Sequence, residues 1–488
     1  MRSPAQKRPS VTLGTWGLPF GLRWPFRLSA TDLRTHKHIM GVTGQGKSKL
    51  CALYAADLIE QGIGTAVVDP HSDLAADVLR ILAHRGYFSR PGAYQKLLYI
   101  DFSRRDRFIP FNPLKQPYDT HTIARNIVEV CTRAWPNLAD GAAPQFENIM
   151  LAASFVLAEH GLPFTQVTEL LTSKDYREQL LTKENLDPNV IRFFHDRYDK
   201  WGRETPTMIE STLRRVFLLS FTPTLRNTIG QVENRLNLRE IMDSGTSVLF
   251  NLGGLDEQTQ RLLGCIITVG YEAAALSRAD LPEHKRAMYQ LIIDEFSMFS
   301  AQSEEALARI LSLARKYGLF LTLAHQTWSQ LSSKLQGAMQ NTMHIVFKLG
   351  REDALWAAPH FGRFDPYRVK HEVADEQADK RTHPVYFNIQ ETWEGWAEKI
   401  ENLWPREALL KIPAKKVFGV KRSARTIKIR TLTAQMDRCS DEALHAIQEQ
   451  YANALLQPID LPVLNLTPPT IIHSPLIPPS TQRRVKLA

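Results

Sequence analysis

The sequence predicts an α/β fold with a mainly parallel sheet, interrupted by an all-helical insertion. From residue 37 to about 114, and again beyond about 240, short apolar runs alternate with stretches of helical period, the pattern of βαβ units. Between these two blocks the strand signal vanishes, and long helical stretches with interleaved acids and bases take over, broken at Pro163, Pro188 and Pro223. With 43% hydrophobic and 23% charged residues in 488, the chain has ordinary globular usage, which excludes a disordered or fibrous protein.

Taken in order, His38-Ile39-Met40 is a short apolar strand that leads into a glycine-rich turn. Lys47 to Gln61 then places Leu50, Leu53, Tyr54 and Leu58 on one helical face. Thr65 to Asp69 and Lys96 to Asp101 are strands that end in an acid. Phe146 to His160 and Met208 to Ser220 are the clearest helices of the insertion. After it, Ser247 to Leu252, Tyr289 to Asp294, Leu319 to Ala324 and His344 to Leu349 read as strands, with helices at Gln258 to Ala275 and Ser303 to Tyr317. Further on, Lys416 to Val420 and Thr426 to Leu432 are expected to pair as a hairpin, followed by a helix from Ser440 to Leu456 and a proline-rich, disordered tail.

The turn Gly41-Val42-Thr43-Gly44-Gln45-Gly46-Lys47-Ser48 fits G-x-x-x-x-G-K-[S/T] in full. Its place between a strand and a helix is what a backbone cradle for phosphates requires. Glycine at 41 and 46 permits a close backbone approach, Lys47 supplies charge to the β- and γ-phosphates, and the Ser48 hydroxyl is a Mg²⁺ ligand. The partner motif is Gln290-Leu291-Ile292-Ile293-Asp294-Glu295, where Asp294 would hold Mg²⁺ and Glu295 would activate water. The implied substrate and cation are ATP and Mg²⁺. Gln326 emerges one residue after an apolar strand, where a γ-phosphate sensor belongs. Arg315, at the end of the preceding helix, fits either a surface ion pair or a finger inserted into a neighbouring subunit's site. A GTPase base-reading N-K-x-D motif is absent, and Asn251-Leu252-Gly253-Gly254 is a poor copy of the ABC signature.

With these elements in place the sequence resembles the HerA/FtsK superfamily of ring-forming ATPases, above all the TraG/TraD class of coupling proteins in conjugative DNA transfer. The residues that carry the likeness are HIMGVTGQGKS (38–48), AVVDPHSDL (66–74), IPFNPL (109–114), LIIDEF (291–296) and ARKYGLFLTLAHQ (314–326). The resemblance implies a RecA-like P-loop ATPase domain, with Arg315 as the trans-acting finger and catalytic work shared by Lys47, Glu295 and Gln326. It also implies a hexameric, DNA-stimulated ATP hydrolase that moves single- or double-stranded DNA without sequence preference, with a relaxase or secretion-channel proteins as further partners. Two neighbouring readings share the motifs: a secretion or assembly ATPase acting on protein, and a HerA-like translocase in DNA processing. Unlike most coupling proteins, the chain shows no run of the roughly 18–20 apolar residues that spans a bilayer. The expected location is cytoplasmic, with at most peripheral contact at the inner membrane face.

The domains expected are a basic N-terminal arm (1–36), the ATPase domain in two parts (37–114 and 241–410), the helical insertion (115–240), a basic hairpin and helix (411–456) and the tail (457–488). Charge is distributed unevenly among them. The chain carries a net +9, yet residues 411–430 hold eight bases and no acid, residues 1–36 hold six bases against Asp32, and residues 37–410 are slightly acidic. The block 411–430 suits either phosphate tracking or a solvated edge strand. In the insertion, Arg214, Arg215 and Trp135 fit packing or contact with DNA or cargo. Cys51, Cys131, Cys265 and Cys439 have no close spacing and read as buried thiols.

Overall fold

The computed structural model describes residues 9–17, 22–134, 143–184, 186–374, 382–412, 414–417, 420–433 and 439–459. Trp135, nearly all of the proline-rich tail and the extreme N-terminal bases lie outside them. Five strands open the chain: β1 (Val11–Gly17), β2 (Arg23–Leu28), β3 (Lys37–Met40), β4 (Gly64–Asp69) and β5 (Leu97–Asp101). A two-residue β6 (Arg107–Phe108) follows, and then every element up to Ser244 is helical. The sheet resumes with β7 (Ser247–Asn251), β8 (Tyr289–Ile293), β9 (Leu319–His325) and β10 (Met343–Val346). The last third contributes β11 (Val369–Ala374), β12 (Thr382–Tyr386), β13 (Glu407–Ile412), β14 (Lys415–Val417), β15 (Val420–Arg422), β16 (Arg425–Thr431) and β17 (Gln457–Pro458).

Eleven of these strands form one sheet in the order β2-β1-β16-β13-β10-β3-β9-β8-β4-β7-β5. The seven from β10 to β5 are parallel. Crossover helices cover both faces of such a sheet, so its strands are apolar without alternation, and β3, β4, β7, β8, β9 and β10 are buried along their whole length. The helices Lys47–Glu60, Asp73–His84 and Asp441–Leu455 pack on one face. The insertion and the helices Glu257–Ser277 and Ser297–Leu313 pack on the other. By length and composition Glu257–Asp280 could cross a membrane, but most of it is buried inside the protein. All four cysteines are free and buried.

The four strands from β13 to β2 run antiparallel and extend the sheet from both ends of the sequence. This corrects the expected hairpin: β16 pairs with β13 and β1, while a separate hairpin joins β14 to β15. The reason is burial. Ile429 (1% exposed) and Ile427 lie opposite Ala408 and Leu410 over the same core as Val11 and Leu13, so a long-range partner hides apolar area that a local hairpin would leave wet. The N-terminal segment is likewise a pair of sheet strands from residue 11 onward and not a free arm.

Candidate functional site

Open α/β sheets bind ligands at the carboxyl ends of their strands, and here that edge gathers the motifs. β3 delivers residues 41–46, and the helix Lys47–Glu60 opens with Gly46 at its N-cap and no side chain capping it. Its first amide groups therefore face the loop as an anion site. Gly44 (φ +78°) and Gly46 (φ +101°) hold left-handed conformations, and a Cβ on Gly41 would lie 2.7 Å from the Phe347 Cβ. Val42 N–H, bonded to the Lys348 carbonyl at 2.9 Å, fixes the loop to the segment after β10.

Lys47 is 7% exposed, and its Nζ donates to the carbonyls of Gly41 (2.6 Å) and Val42 (3.3 Å). Burial pulls its pKa down, while the carboxylates of Glu295 and Asp294 oppose that shift. Ser48 follows in the first helical turn and is half-buried. Asp294, immediately after β8, is buried; its N–H bonds the Val68 carbonyl of β4 and its Oδ1 accepts from the Glu295 N–H at 3.0 Å. Glu295 has φ +44°, a strained value for a non-glycine residue, and accepts a hydrogen bond from Ser297 Oγ at 3.1 Å. Gln326 leaves the end of β9, and its Oε1 accepts from Thr43 Oγ1 at 3.3 Å. Thus phosphate loop, strand-end acids and glutamine meet at one edge. The loop's amides, its lysine and serine, and the buried carboxylate that follows β8 are donors and acceptors that suit a triphosphate and Mg²⁺.

Arg315 lies elsewhere. It is exposed in the turn Ala314–Tyr317 before β9, near enough to His36 to depress that ring's pKa, so it stands at the amino edge of the sheet. The five chain steps from His36 to Gly41 separate it from the phosphate loop by about 16 Å. Within one subunit it therefore cannot serve its own loop. The turn is held rigidly: fully buried Arg278 bonds the Tyr317 carbonyl (3.1 Å), the Ala287 carbonyl (2.9 Å) and Asp243 (2.8 Å), and Arg286 bonds the Lys316 carbonyl (2.8 Å). In the insertion, Arg214 forms an exposed ion pair with Glu210 one turn away, and Arg215 covers the Phe146 ring.

Three features escape sequence reasoning. Asp69, at the end of β4 beside Asp294, accepts from the His71 and Ala75 amides, and burial first, then the Asp294 charge, pushes its pKa up to about 6. Its strand-end position was legible; its neighbour was not. His38, His325 and His344 form a buried row across β9, β3 and β10, with His38 Nε2 2.6 Å from His325 Nε2 and His38 Nδ1 3.0 Å from His344 Nδ1. No short spacing joins them. His325 is turned into this row, 0% exposed, although it directly precedes Gln326. Lastly, Arg406 N–H donates to the Gln45 carbonyl at 3.0 Å, bringing a C-terminal residue onto the phosphate loop.

The model of the HerA helicase central domain matches residues 18–268, just over half of the chain. The chain belongs to the HerA helicase central-domain family. Solved structures share the fold of this HerA-family chain. The bacterial conjugative coupling protein TrwBdeltaN70 is 18% identical, with a TM-score of 0.53 over 88% of this chain and 89% of that one. The plasmid coupling protein TrwB in complex with ADP and Mg²⁺ is 17% identical, with a TM-score of 0.51 over 89% and 90%. VirB4 of Thermoanaerobacter pseudethanolicus is 15% identical, with a TM-score of 0.52 over 87% and 96%. Among curated proteins none matches the chain. At such identities the likeness concerns the RecA-like fold.

Proposed function

We propose that the chain is a Mg²⁺-dependent ATPase that works as a hexameric DNA translocase motor of the coupling-protein kind. The observation that carries this reading is the meeting of Lys47, Asp294, Glu295 and Gln326 at one sheet edge, with Gln326 bonded to Thr43 of the loop itself. Lys47 exchanges its two loop carbonyls for phosphate oxygens. Glu295 takes the proton of the attacking water, and Gln326 orients that water and reports the γ-phosphate to β9. Ser48 and Asp294 would hold Mg²⁺, which when bound supplies charge neutralisation at the β- and γ-phosphates. Arg315, on the far edge, serves the site of the next subunit in the ring. The division into a two-part motor (37–114 and 241–410) and a helical insertion (115–240) belongs to the same proposal. The plasmid coupling protein TrwB, which binds ADP and Mg²⁺, supports the choice of ligand and of branch.

A basic face favours DNA over a protein cargo. Arg23, Arg27 and Arg430 lie on one face of the β2-β1-β16 extension, because directly paired residues share a face: Thr12 faces Arg27, Gly17 faces Arg23 and Thr15 faces Arg430. Lys428 joins them two residues along β16, and an open groove lined by Thr15, Arg23, Lys428 and Arg430 runs there.

The decisive measurement is steady-state ATP hydrolysis without DNA, with single-stranded DNA and with duplex DNA over a salt series, on protein of measured oligomeric state. DNA-stimulated turnover is expected. Lys47→Ala abolishes it, and Glu295→Gln binds ATP but turns it over about 10²–10⁴-fold more slowly. Full activity in Lys47→Ala sinks the ATPase reading; turnover indifferent to DNA favours a protein-directed ATPase.

A further inference from the structure

Among the described residues only Ser72 (φ +71°), Glu295 (φ +44°) and Arg406 (φ +71°) are non-glycines in the left-handed region. The first two flank the carboxyl-edge acids Asp69 and Asp294. Strained conformations gather at functional sites because only an over-determined surrounding holds them, so the third is informative. Arg406 begins the approach to β13, which runs antiparallel to β10, and β10 runs parallel to β3. That topology brings Arg406 to the edge where β3 releases the phosphate loop.

The contact there is direct. Arg406 N–H bonds the Gln45 carbonyl at 3.0 Å, and its Cγ lies 3.6 Å from where a Cβ on Gly46 would stand. Its other side is tied to the end of β16: Nη2 donates to the Thr431 carbonyl at 2.8 Å and the Thr431 N–H donates to the Arg406 carbonyl at 2.8 Å. Yet Arg406 Nε and Gln45 Oε1, on the two residues that meet here, are both buried without a hydrogen-bond partner. Buried polar atoms are nearly always satisfied, so this pair calls for a polar ligand. Two residues earlier, Trp404 is 75% exposed, although its backbone is fixed by Glu407 through Trp404 N–H to Oε2 (3.2 Å) and Glu407 N–H to the Trp404 carbonyl (2.9 Å). Two chain steps span at most about 7 Å, which leaves the indole within reach of whatever the loop's phosphates carry.

We propose that the corner Trp404-Pro405-Arg406 is the nucleoside wall of the nucleotide site, where the Trp404 indole stacks on the base and Arg406 donates its free Nε–H to the ribose-phosphate portion. This rests on the ATPase reading above and adds the part of the ligand that the phosphate loop does not touch. Base stacking on an indole is tolerant of base identity, so the wall selects a nucleotide over a bare polyphosphate without demanding adenine.

The test is calorimetric binding of ATP and of inorganic tripolyphosphate to the full chain and to Trp404→Ala, Trp404→Phe and Arg406→Gly, glycine being chosen because it keeps φ +71° without strain. Wild type is expected to prefer ATP. Trp404→Ala weakens ATP about tenfold and tripolyphosphate by less than about twofold, and Trp404→Phe restores most of the loss. Arg406→Gly weakens ATP while the protein still unfolds cooperatively. Unchanged ATP affinity in Trp404→Ala overturns the proposal, as does equal weakening of both ligands, which marks a structural role. Loss of DNA binding alone in that variant also overturns it and assigns the indole to DNA. If wild type binds tripolyphosphate and ATP equally, the nucleoside wall fails while the phosphate site stands. If it binds neither, the ATPase reading itself fails.

Discussion

Gly41 shows how narrowly the site is built. Its missing Cβ leaves room for Phe347, so Gly41→Ala overpacks the contact between the phosphate loop and the strand beside it. A loss of about 1–3 kcal/mol in unfolding free energy is expected, measured by urea denaturation, together with weaker nucleotide binding. At the same scale Gln326→Ala removes the partner of Thr43 without disturbing a core. It should leave ATP affinity near the wild-type value and lower kcat about 10²-fold, the split expected of a group that acts mainly in the transition state. A rise in KM with kcat unchanged would instead place Gln326 in ground-state binding. Arg278 acts at a distance. It is fully buried, and truncation to alanine takes the donor from the Ala287 and Tyr317 carbonyls and removes one of the two arginines that hold Asp243, Arg239 being the other, so a loss of about 1–3 kcal/mol is expected. The phosphate loop and the strand-end acids were legible because each is a local pattern with a local physical meaning. Asp69, Arg278 and Arg406 were not, because a lone acid or arginine acquires meaning only from what the fold sets against it.

The elements that matter most are β3, β9 and β10, which carry the histidine row. Burial lowers His36, His325 and His344 from 6.5 to about 3 and His38 well below 6.5, so all four are neutral in the fold. Their folded values lie below the unfolded value, so between about pH 6.5 and 3 the unfolded chain binds more protons and stability falls as pH falls. Each histidine contributes a slope of about 1.4 kcal/mol per pH unit across that window. Asp69, raised to about 6, works in the opposite sense and offsets one of them, while Lys37, lowered only to about 7, stays protonated in both states below pH 6. The other charges that face the row are Lys47, His360 and Lys411. The thermal midpoint should therefore drop steadily between pH 6.5 and 4.5, and His38→Asn should flatten that slope. A midpoint independent of pH over this range would mean that the row is solvated. Periodicity identified these strands, β3 and β9 to within a residue and β10 with its end read three residues too far, since fully buried parallel strands announce themselves by apolar content alone. It said nothing of the row, whose members pair across 287 and 306 residues of sequence.

For the whole molecule, the placement of charge is the main revision. Along the sequence the bases of residues 1–36 and 411–430 form two separate blocks at opposite ends of the chain. In the fold Arg23 and Arg27 of the first block and Arg425, Lys428 and Arg430 of the second share one sheet extension, with Val11, Leu13 and Ile429 in its core and Arg406 linking Thr431 to the phosphate loop. Deleting residues 411–430 should therefore unfold this part of the sheet and abolish ATP hydrolysis as well. Point substitution is the cleaner probe. The combined change Arg23→Ala, Arg27→Ala, Lys428→Ala and Arg430→Ala touches only exposed side chains. It should keep basal ATPase within about twofold, weaken DNA uniformly across sequences and flatten the plot of log affinity against log salt by up to about 3 for single strands. An unaltered salt slope would exclude this face from DNA contact.

By itself the sequence determined the class of fold, the seven parallel strands in their order along the chain, the helical character of the segment between them and the residue types of the phosphate loop and strand-end acids. All of these depend on short-range patterns: side-chain period, turn chemistry and residue types a few positions apart. Tertiary structure alone decided that both ends of the chain complete one sheet, that three distant histidines form a row, that Arg315 stands on the opposite edge from its own phosphate loop and that Arg406 reaches that loop. Each of those is a pairing between distant segments. It is settled by which partner buries the most apolar surface and satisfies the most backbone hydrogen bonds, a competition that only the folded chain resolves.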